Sequence, residues 1–411
     1  MTREHRIGLN TGVYMTNKTL LAAAVAIFPT TVLQSYFLGI GLGYEEVALY
    51  GTIGNVISAS IMILLPGVAD FFTRFSAFKR ANFVVLVGLG INYLAMYAIQ
   101  LFAPDKPAAV IFSILLAACA VCALFIGVNA IFDAETLVRV GLNGNGIAQI
   151  MGLCGVISSG VSIASSAVVT FFTSSPALNA YCWLPGLASG AAIVSALTAL
   201  SYVRVNWEIP RKAKLESPLR IYRDILGMRQ FRLLLAPNIL RSFGDSVVFF
   251  VISTGLIRFS GQKGAVGSFT IAVAVGNMLG NLLITLLHRK AGTARLYILS
   301  ALATGAGLVC ACMTASVHVY ALLIVPIYTG DMIVGTVFPL AVYEYVPARK
   351  ISSFTALRIF TLNLLNGFFV YLFGLALNCV SYLPLCILGL AAFAIGGYLF
   401  YRACAQMEKV T

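Results

Sequence analysis

Long apolar runs follow one another along this chain, separated by short polar clusters. A helix crosses the hydrocarbon core of a bilayer with about 20 apolar residues. A spanning strand instead shows about ten residues of alternating polarity. The runs here are too long for strands and do not alternate. They predict twelve membrane-spanning helices, at 18–41, 46–73, 81–103, 108–131, 147–173, 178–203, 231–257, 264–287, 293–315, 318–345, 351–378 and 381–402. The first run is too long for the core of a signal peptide and is expected to stay as span 1. One polar stretch, 204–230, is far longer than the others and divides the spans six and six. The expected units are 1–203, a central loop at 204–230, and 231–411. Within the loop, Ile221, Tyr222, Ile225 and Leu226 share one helical face, with Arg220, Arg223 and Arg229 around them. That pattern predicts a short amphipathic helix on the membrane surface.

Composition agrees with the pattern. Of 411 residues, 60% are hydrophobic and 10% charged, too few polar groups to cover a soluble domain. The net charge of +13 would suggest nucleic acid in a soluble chain, but topology accounts for it. Only Lys106, Arg258 and Lys263 fall on one side of the predicted membrane, and Arg241 and Arg358 fall within spans. All other Lys and Arg lie on the opposite side, which makes that side cytoplasmic. Both termini are then cytoplasmic, in a multi-pass protein of the cell (plasma or inner) membrane. No nucleic-acid partner is needed. The nine cysteines are scattered, with no paired CxxC clusters to hold a metal, and read as small buried apolar residues. No cofactor or metal is expected.

Weak internal symmetry supports the division. Gly54-Asn55 in span 2 matches Gly276-Asn277 in span 8, and Glu135 near the end of span 4 matches Glu344 near the end of span 10. Between spans 2 and 3 the sequence runs Pro66-Gly67-Val68-Ala69-Asp70, then Arg74, Lys79 and Arg80. With two six-span halves and a basic central loop, this stretch resembles the major facilitator superfamily, whose signature at this place is roughly Gly-x-x-x-Asp-Arg/Lys-x-Gly-Arg/Lys-Arg/Lys. Pro66 stands at its first glycine, its second glycine is missing, and the basic cluster is displaced. The resemblance implies an all-α membrane fold of twelve transmembrane helices in two six-helix bundles related by a pseudo-two-fold axis. It also implies a cytoplasmic gate in which Asp70, Arg74, Lys79 and Arg80 pair with Asp133 or Glu135. Glu344, Arg349 and Lys350 would be the equivalent in the second half. A solvated charge cluster worth little is the plainer reading of the same residues.

Ionisable residues at membrane depth are expensive and face a bundle interior or a wet cavity. Four lie within spans: Arg241 and Asp245 in span 7, Asp331 in span 10 and Arg358 in span 11. At 1.5 Å per residue, Asp245 lies roughly 20 Å from the cytoplasmic start of its span, and Asp331 is equally deep. Asn238, Arg241, Ser242 and Asp245 run i, i+3, i+4, i+7, a polar stripe on one helical face. Tyr328 precedes Asp331 by one turn, and Gln34 is a polar residue of span 1. Arg241 and Asp245 can neutralise each other across one turn, or Arg241 can hold a substrate anion while Asp245 changes partner. Asp331 lacks a basic neighbour on its own helix. It is expected either to carry a proton or to bridge to Arg241 or Arg358. Arg358 could also snorkel towards the cytoplasm or pair with Glu344. Pro237, Gly244, Pro326 and Gly330 mark possible breaks beside the charged positions.

These residues lead to a secondary transporter that works by alternating access, with no catalytic residues. The expected substrate is a small organic anion or zwitterion bound by Arg241, Asn238, Tyr328, Gln34 and Arg358. Asp331 and Asp245 would carry the proton, with Na⁺ as the other possible coupling ion. Membrane lipids would surround a monomer. A proton-coupled exporter of lipophilic compounds is the alternative. Sugars rank lower, because Trp183 and Trp207 lie outside the expected cavity. The two aspartates could also form an intramembrane protease dyad, but Arg241 lies one turn from one of them and the Pro-Ala-Leu element of such proteases is absent.

Overall fold

A computed structural model describes residues 2–64, 75–102, 106–139, 144–174, 180–205, 218–259, 265–347 and 351–408. With no water in the bilayer core, a spanning segment must satisfy its own backbone, and a helix does so. Every regular element among the described residues is helical. The first half holds α1 (Arg3–Ile27), α2 (Thr30–Gly39), α3 (Tyr44–Leu64), α4 (Phe75–Phe102), α5 (Ala108–Arg139), α6 (Gly144–Ser174) and α7 (Ala180–Ala199). A short α8 (Pro218–Leu226) follows. The second half holds α9 (Arg229–Ser246), α10 (Ala265–Ala291), α11 (Thr293–Met313), α12 (Val317–Tyr345), α13 (Ile351–Leu377) and α14 (Tyr382–Glu408). Among the described residues, ten helical stretches are long and apolar enough to cross a membrane, and Trp183–Ala199 is a shorter apolar one. Helix α3 occupies the place expected for span 2.

The first span departs from expectation at its start and in its middle. Its helix begins at Arg3, not near residue 18. Asn10 and Asn17, which look like tail residues, are buried because they bond to α7 and the chain after it. Asn10 Nδ2 donates to Val203 O at 2.7 Å, and Asn17 Nδ2 donates to Ser195 O at 2.7 Å. The helix stops at Ile27 and resumes at Thr30, because Pro29 has no N–H to continue the ladder. Gly41, at φ 91°, turns the chain into α3.

The two halves repeat one packing plan. In the first, α1 packs on α6 and α7, α4 on α5 and α7, and α3 on α5. In the second, α9 packs on α13 and α14, α11 on α12 and α14, and α10 on α12. Advancing each span by six converts the first set into the second. The sequence match at Gly54 and Gly276 has the same basis. Gly54 lets α3 approach Cys119 of α5, and Gly276 lets α10 approach Val325 and Tyr328 of α12. Helix α8 forms where expected, but Tyr222 and Ile225 are buried against the second half, chiefly α13, while Leu226 is exposed.

Two seams join the halves, α3 with α13 and α6 with α10, and they exchange under the same six-span shift. Thr52 Oγ1 donates to Gly367 O at 2.9 Å, and Asn363 Nδ2 to Ser58 Oγ at 3.1 Å. Asn281 Nδ2 reaches Ser159 Oγ at 3.5 Å on the other seam. At the end of the molecule away from both termini, Ser253 Oγ donates to Gln34 Oε1 at 2.9 Å and Tyr382 Oη to Tyr44 Oη at 3.0 Å. The halves therefore meet at this far end.

Candidate functional site

The polar stripe of α9 turns into the second half. Asn238, Ser242 and Asp245 are buried. Ser242 Oγ donates to Asn366 Oδ1 at 2.6 Å and lies 3.0 Å from Leu362 O, both on α13. Asn238 Nδ2 reaches Arg358 O at 3.5 Å. These bonds satisfy the Ser242 hydroxyl and the Asn238 amide nitrogen, while Asn238 Oδ1 and Asp245 Oδ1 are buried without a hydrogen-bond partner.

The four charges expected at depth come together on this face. Arg241 Nε lies 3.2 Å from Asp245 Oδ2, one turn away. Asp331 is buried in the same cluster, close enough to Asp245 and Arg241 to interact with both electrostatically. Arg358 is 6% exposed, so it does not snorkel to the surface. It lies with Arg241 against one ring. The centre of Phe338 is 5.3 Å from Arg358 Cζ and 6.0 Å from Arg241 Cζ. An aromatic face attracts a cation electrostatically, most strongly where water is absent. Phe338 also packs at 5.2 Å on Phe400, which stacks at 3.9 Å on Tyr297. Tyr297 is 1% exposed, beside the charges. Ionic groups of α9, α12 and α13 are thus sealed by aromatic groups of α11, α12 and α14.

Phe338 and Tyr297 escape the sequence reading, although one signal exists. Asp331, Gly335 and Phe338 run i, i+4, i+7 along α12, and Arg241 Nη2 occupies the space where a Gly335 side chain would begin, 3.3 Å from that position. The expected breaks also move. Helix α12 runs unbroken through Pro326 and Gly330, because Gly330 seats against Thr304 and Ser300 O of α11. Gly244 likewise seats against Phe393 of α14. The irregularity lies just beyond Asp245, where Val247–Ile252 is π-helical and Gly255–Phe259 is 3₁₀.

The π segment presents one side chain unlike its neighbours. Phe249 is 50% exposed, while Val248 and Phe250 are buried. One turn further, Ser253 holds Gln34 of the first half, so Phe249 stands on the face that meets the other half. Its ring meets Tyr328 edge-on at 6.0 Å. Tyr328 is itself buried, against Phe269.

The expected gate is described only in part. Asp70 and Arg74 lie outside the described residues, as do the side chains of Asp133 and Glu135, and Arg349 and Lys350. Lys79 Nζ donates to Leu200 O at 2.7 Å and Tyr202 O at 3.4 Å, tying α4 to the end of α7. Arg80 is exposed. Glu344 accepts from Thr293 Oγ1 at 3.0 Å, tying α12 to α11.

No family model matches the sequence, and no curated protein matches it. Solved structures do match over nearly the whole chain. The xylose transporter XylE from E. coli, in an inward-open conformation, superposes with a TM-score of 0.72 at 15% identity, covering 98% of this chain and 99% of that one. A point mutant of the nucleoside transporter NupG gives 0.68 at 13% identity, covering 97% and 99%. This chain has the fold of these two transporters: among the described residues, an all-helical arrangement with ten helices long and apolar enough to cross a membrane.

Proposed function

We propose that this chain is a secondary active transporter. It would move a small, uncharged, ring-bearing polar solute by alternating access, driven by a proton on the Asp245–Asp331 pair. The observation that carries the coupling is the burial of these two carboxyl groups in one cluster with Arg241 and Arg358. Two ionised carboxylates buried close together repel, which favours a proton on one of them. With Arg241 and Arg358 both charged, the cluster is neutral when both acids are ionised and carries one excess positive charge when one is protonated. Releasing the proton therefore changes what α9, α12 and α13 must balance. That is a differential free energy between states, which any coupled conformational change requires. A protease reading fits poorly, since Arg241 engages one acid and aromatic rings exclude the water that hydrolysis needs.

The anionic or zwitterionic solute expected from Arg241 and Arg358 loses support, because both guanidinium groups are buried inside the second half, against Phe338 and, for Arg241, Asp245. The face between the halves offers instead a half-exposed Phe249 ring, with Gln34 one turn beyond it. An apolar ring face with an amide beside it suits a ring with polar edges. The structurally similar proteins transport xylose and nucleosides, which is the same chemistry. We place the chain in the cell membrane with both termini cytoplasmic, working as a monomer.

The test uses the purified full-length protein in liposomes with an imposed inward proton gradient. Radiolabelled xylose, uridine and benzoate serve as probes. Xylose or uridine should accumulate above equilibrium, and benzoate should not. Asp331→Asn should keep solute exchange at equal pH but lose gradient-driven accumulation. Accumulation of benzoate alone would sink the substrate assignment. Undiminished accumulation in Asp331→Asn would sink the coupling assignment.

A further inference from the structure

Two cysteines that no transport step uses meet at the far end of the second half. Cys312 is the second-last residue of α11, and Cys386 lies in the second turn of α14. Their sulfurs are 2.8 Å apart, and both are free thiols. The approach is held by more than helix packing. Arg258, in the 3₁₀ segment after α9, donates from Nη1 to Cys312 O at 2.9 Å. The same guanidinium lies 5.4 Å from the ring centre of Tyr382, one turn before Cys386. A single arginine thus clamps the two helix ends that carry the sulfurs. Cys312 is partly exposed and Cys386 is fully buried. One thiol is therefore open to attack on a reagent, and the other can reach only its neighbour.

We propose that Cys312 and Cys386 form a redox-modifiable site that closes to a disulfide by exchange with a small disulfide oxidant. The Cys312 thiolate attacks one sulfur of the oxidant, forming a mixed disulfide and releasing the first reduced thiol. Cys386 then loses its proton and attacks the Cys312 sulfur. The Cys312–Cys386 bond forms and the second reduced thiol leaves. The protein gives up two electrons and two protons, and the oxidant disulfide becomes two thiols. Compartment chemistry agrees. This end lies away from the Lys- and Arg-rich side, so the positive-inside rule puts it outside the cytoplasm, where disulfides form and persist. The bond joins two helices of one half, so it fixes that half without locking it to the other.

The test treats the reduced, purified full-length protein with 2,2′-dithiodipyridine. The remaining thiols are alkylated, and the digest is read by mass spectrometry. The expected product is a peptide pair linked through Cys312 and Cys386, with both residues lost from the alkylated pool. Cys386→Ser should stop the reaction at a pyridyl adduct on Cys312. Cys379→Ser and Cys310→Ser should leave the linked pair unchanged, and Arg258→Gln should slow linkage several-fold. A stable pyridyl adduct on Cys312 in the parent protein would overturn the proposal. So would linkage of Cys312 to Cys310 or Cys379. Thermal unfolding of each variant beside the parent separates misfolding from lost chemistry.

Discussion

Arg241 and Asp245 are a buried ion pair, so their contributions are strongly non-additive. Removing one partner leaves the other charge stranded, which costs about 3–5 kcal/mol in soluble proteins. Replacing both by apolar groups of similar volume is often neutral. Asp245→Leu should therefore lower the thermal midpoint in detergent markedly, while Arg241→Met with Asp245→Leu should recover most of the loss. The double variant should still fail to accumulate solute, because the remaining Asp331 has lost its partner. If Asp245→Leu melts with the parent protein, Arg241 has another counter-ion and its pairing with Asp245 is not what holds it. The four charges were legible as residues, since the other Asp, Glu, Lys and Arg within the spans all lie near span ends. Their inward direction was not, because the stripe on α9 has the same spacing whether it faces a cavity or a bundle core. Only the positions of Asn366, Phe338 and Phe400 on neighbouring helices decide that.

At the scale of elements, glycines record where helices touch, and the matched pair Gly54 and Gly276 makes the point testable. A side chain at Gly276 would begin 2.7 Å from Val325 O and 2.9 Å from Tyr328 Cβ. Backbone cannot swing aside, so Gly276→Ala should cost about 1–3 kcal/mol, as overpacking does. At Gly54 the nearest atom is the Cys119 sulfur at 3.4 Å, ordinary contact, so Gly54→Ala should be nearly silent. Thermal unfolding of the two variants side by side decides it, and equal losses would contradict the asymmetry. Span positions were readable because the bilayer sets helix length. Helix irregularities were not. Pro326 and Gly330 look like a break, yet α12 absorbs them against α11. The π segment after Asp245 falls on Val247-Val248-Phe249-Phe250-Val251-Ile252, a run with no Gly or Pro to mark it. The helical reach of α1 was hidden for the opposite reason. Asn10 and Asn17 read as surface residues until α7 and the chain after it supply their carbonyl partners.

Across the whole molecule, the proposed alternating access would require the two halves to part at the far end, where the α3–α13 seam holds them together. Gly374 of α13 lies so close to α3 that an added side chain would collide with Ala48 and come within 3.0 Å of Tyr44 O. This contact sits beside the Tyr44–Tyr382 hydrogen bond, so a wedge here acts where the halves meet. Gly374→Val should therefore disfavour the closed far end and shift the population towards the state open on that side, without touching the buried charges. The readout is the reactivity of Ser253→Cys, in a background whose native cysteines are serine, towards a membrane-impermeant maleimide. Ser253 is 5% exposed and bonded to Gln34 when the halves are joined, so labelling should be slow in the parent and several-fold faster with Gly374→Val. Equal rates would mean that the far end does not open by parting this seam. The same variant should lower the rate of solute exchange, since a carrier held in one state returns slowly, while binding from the open side persists. Faster labelling with unchanged exchange would separate opening of the far end from transport itself.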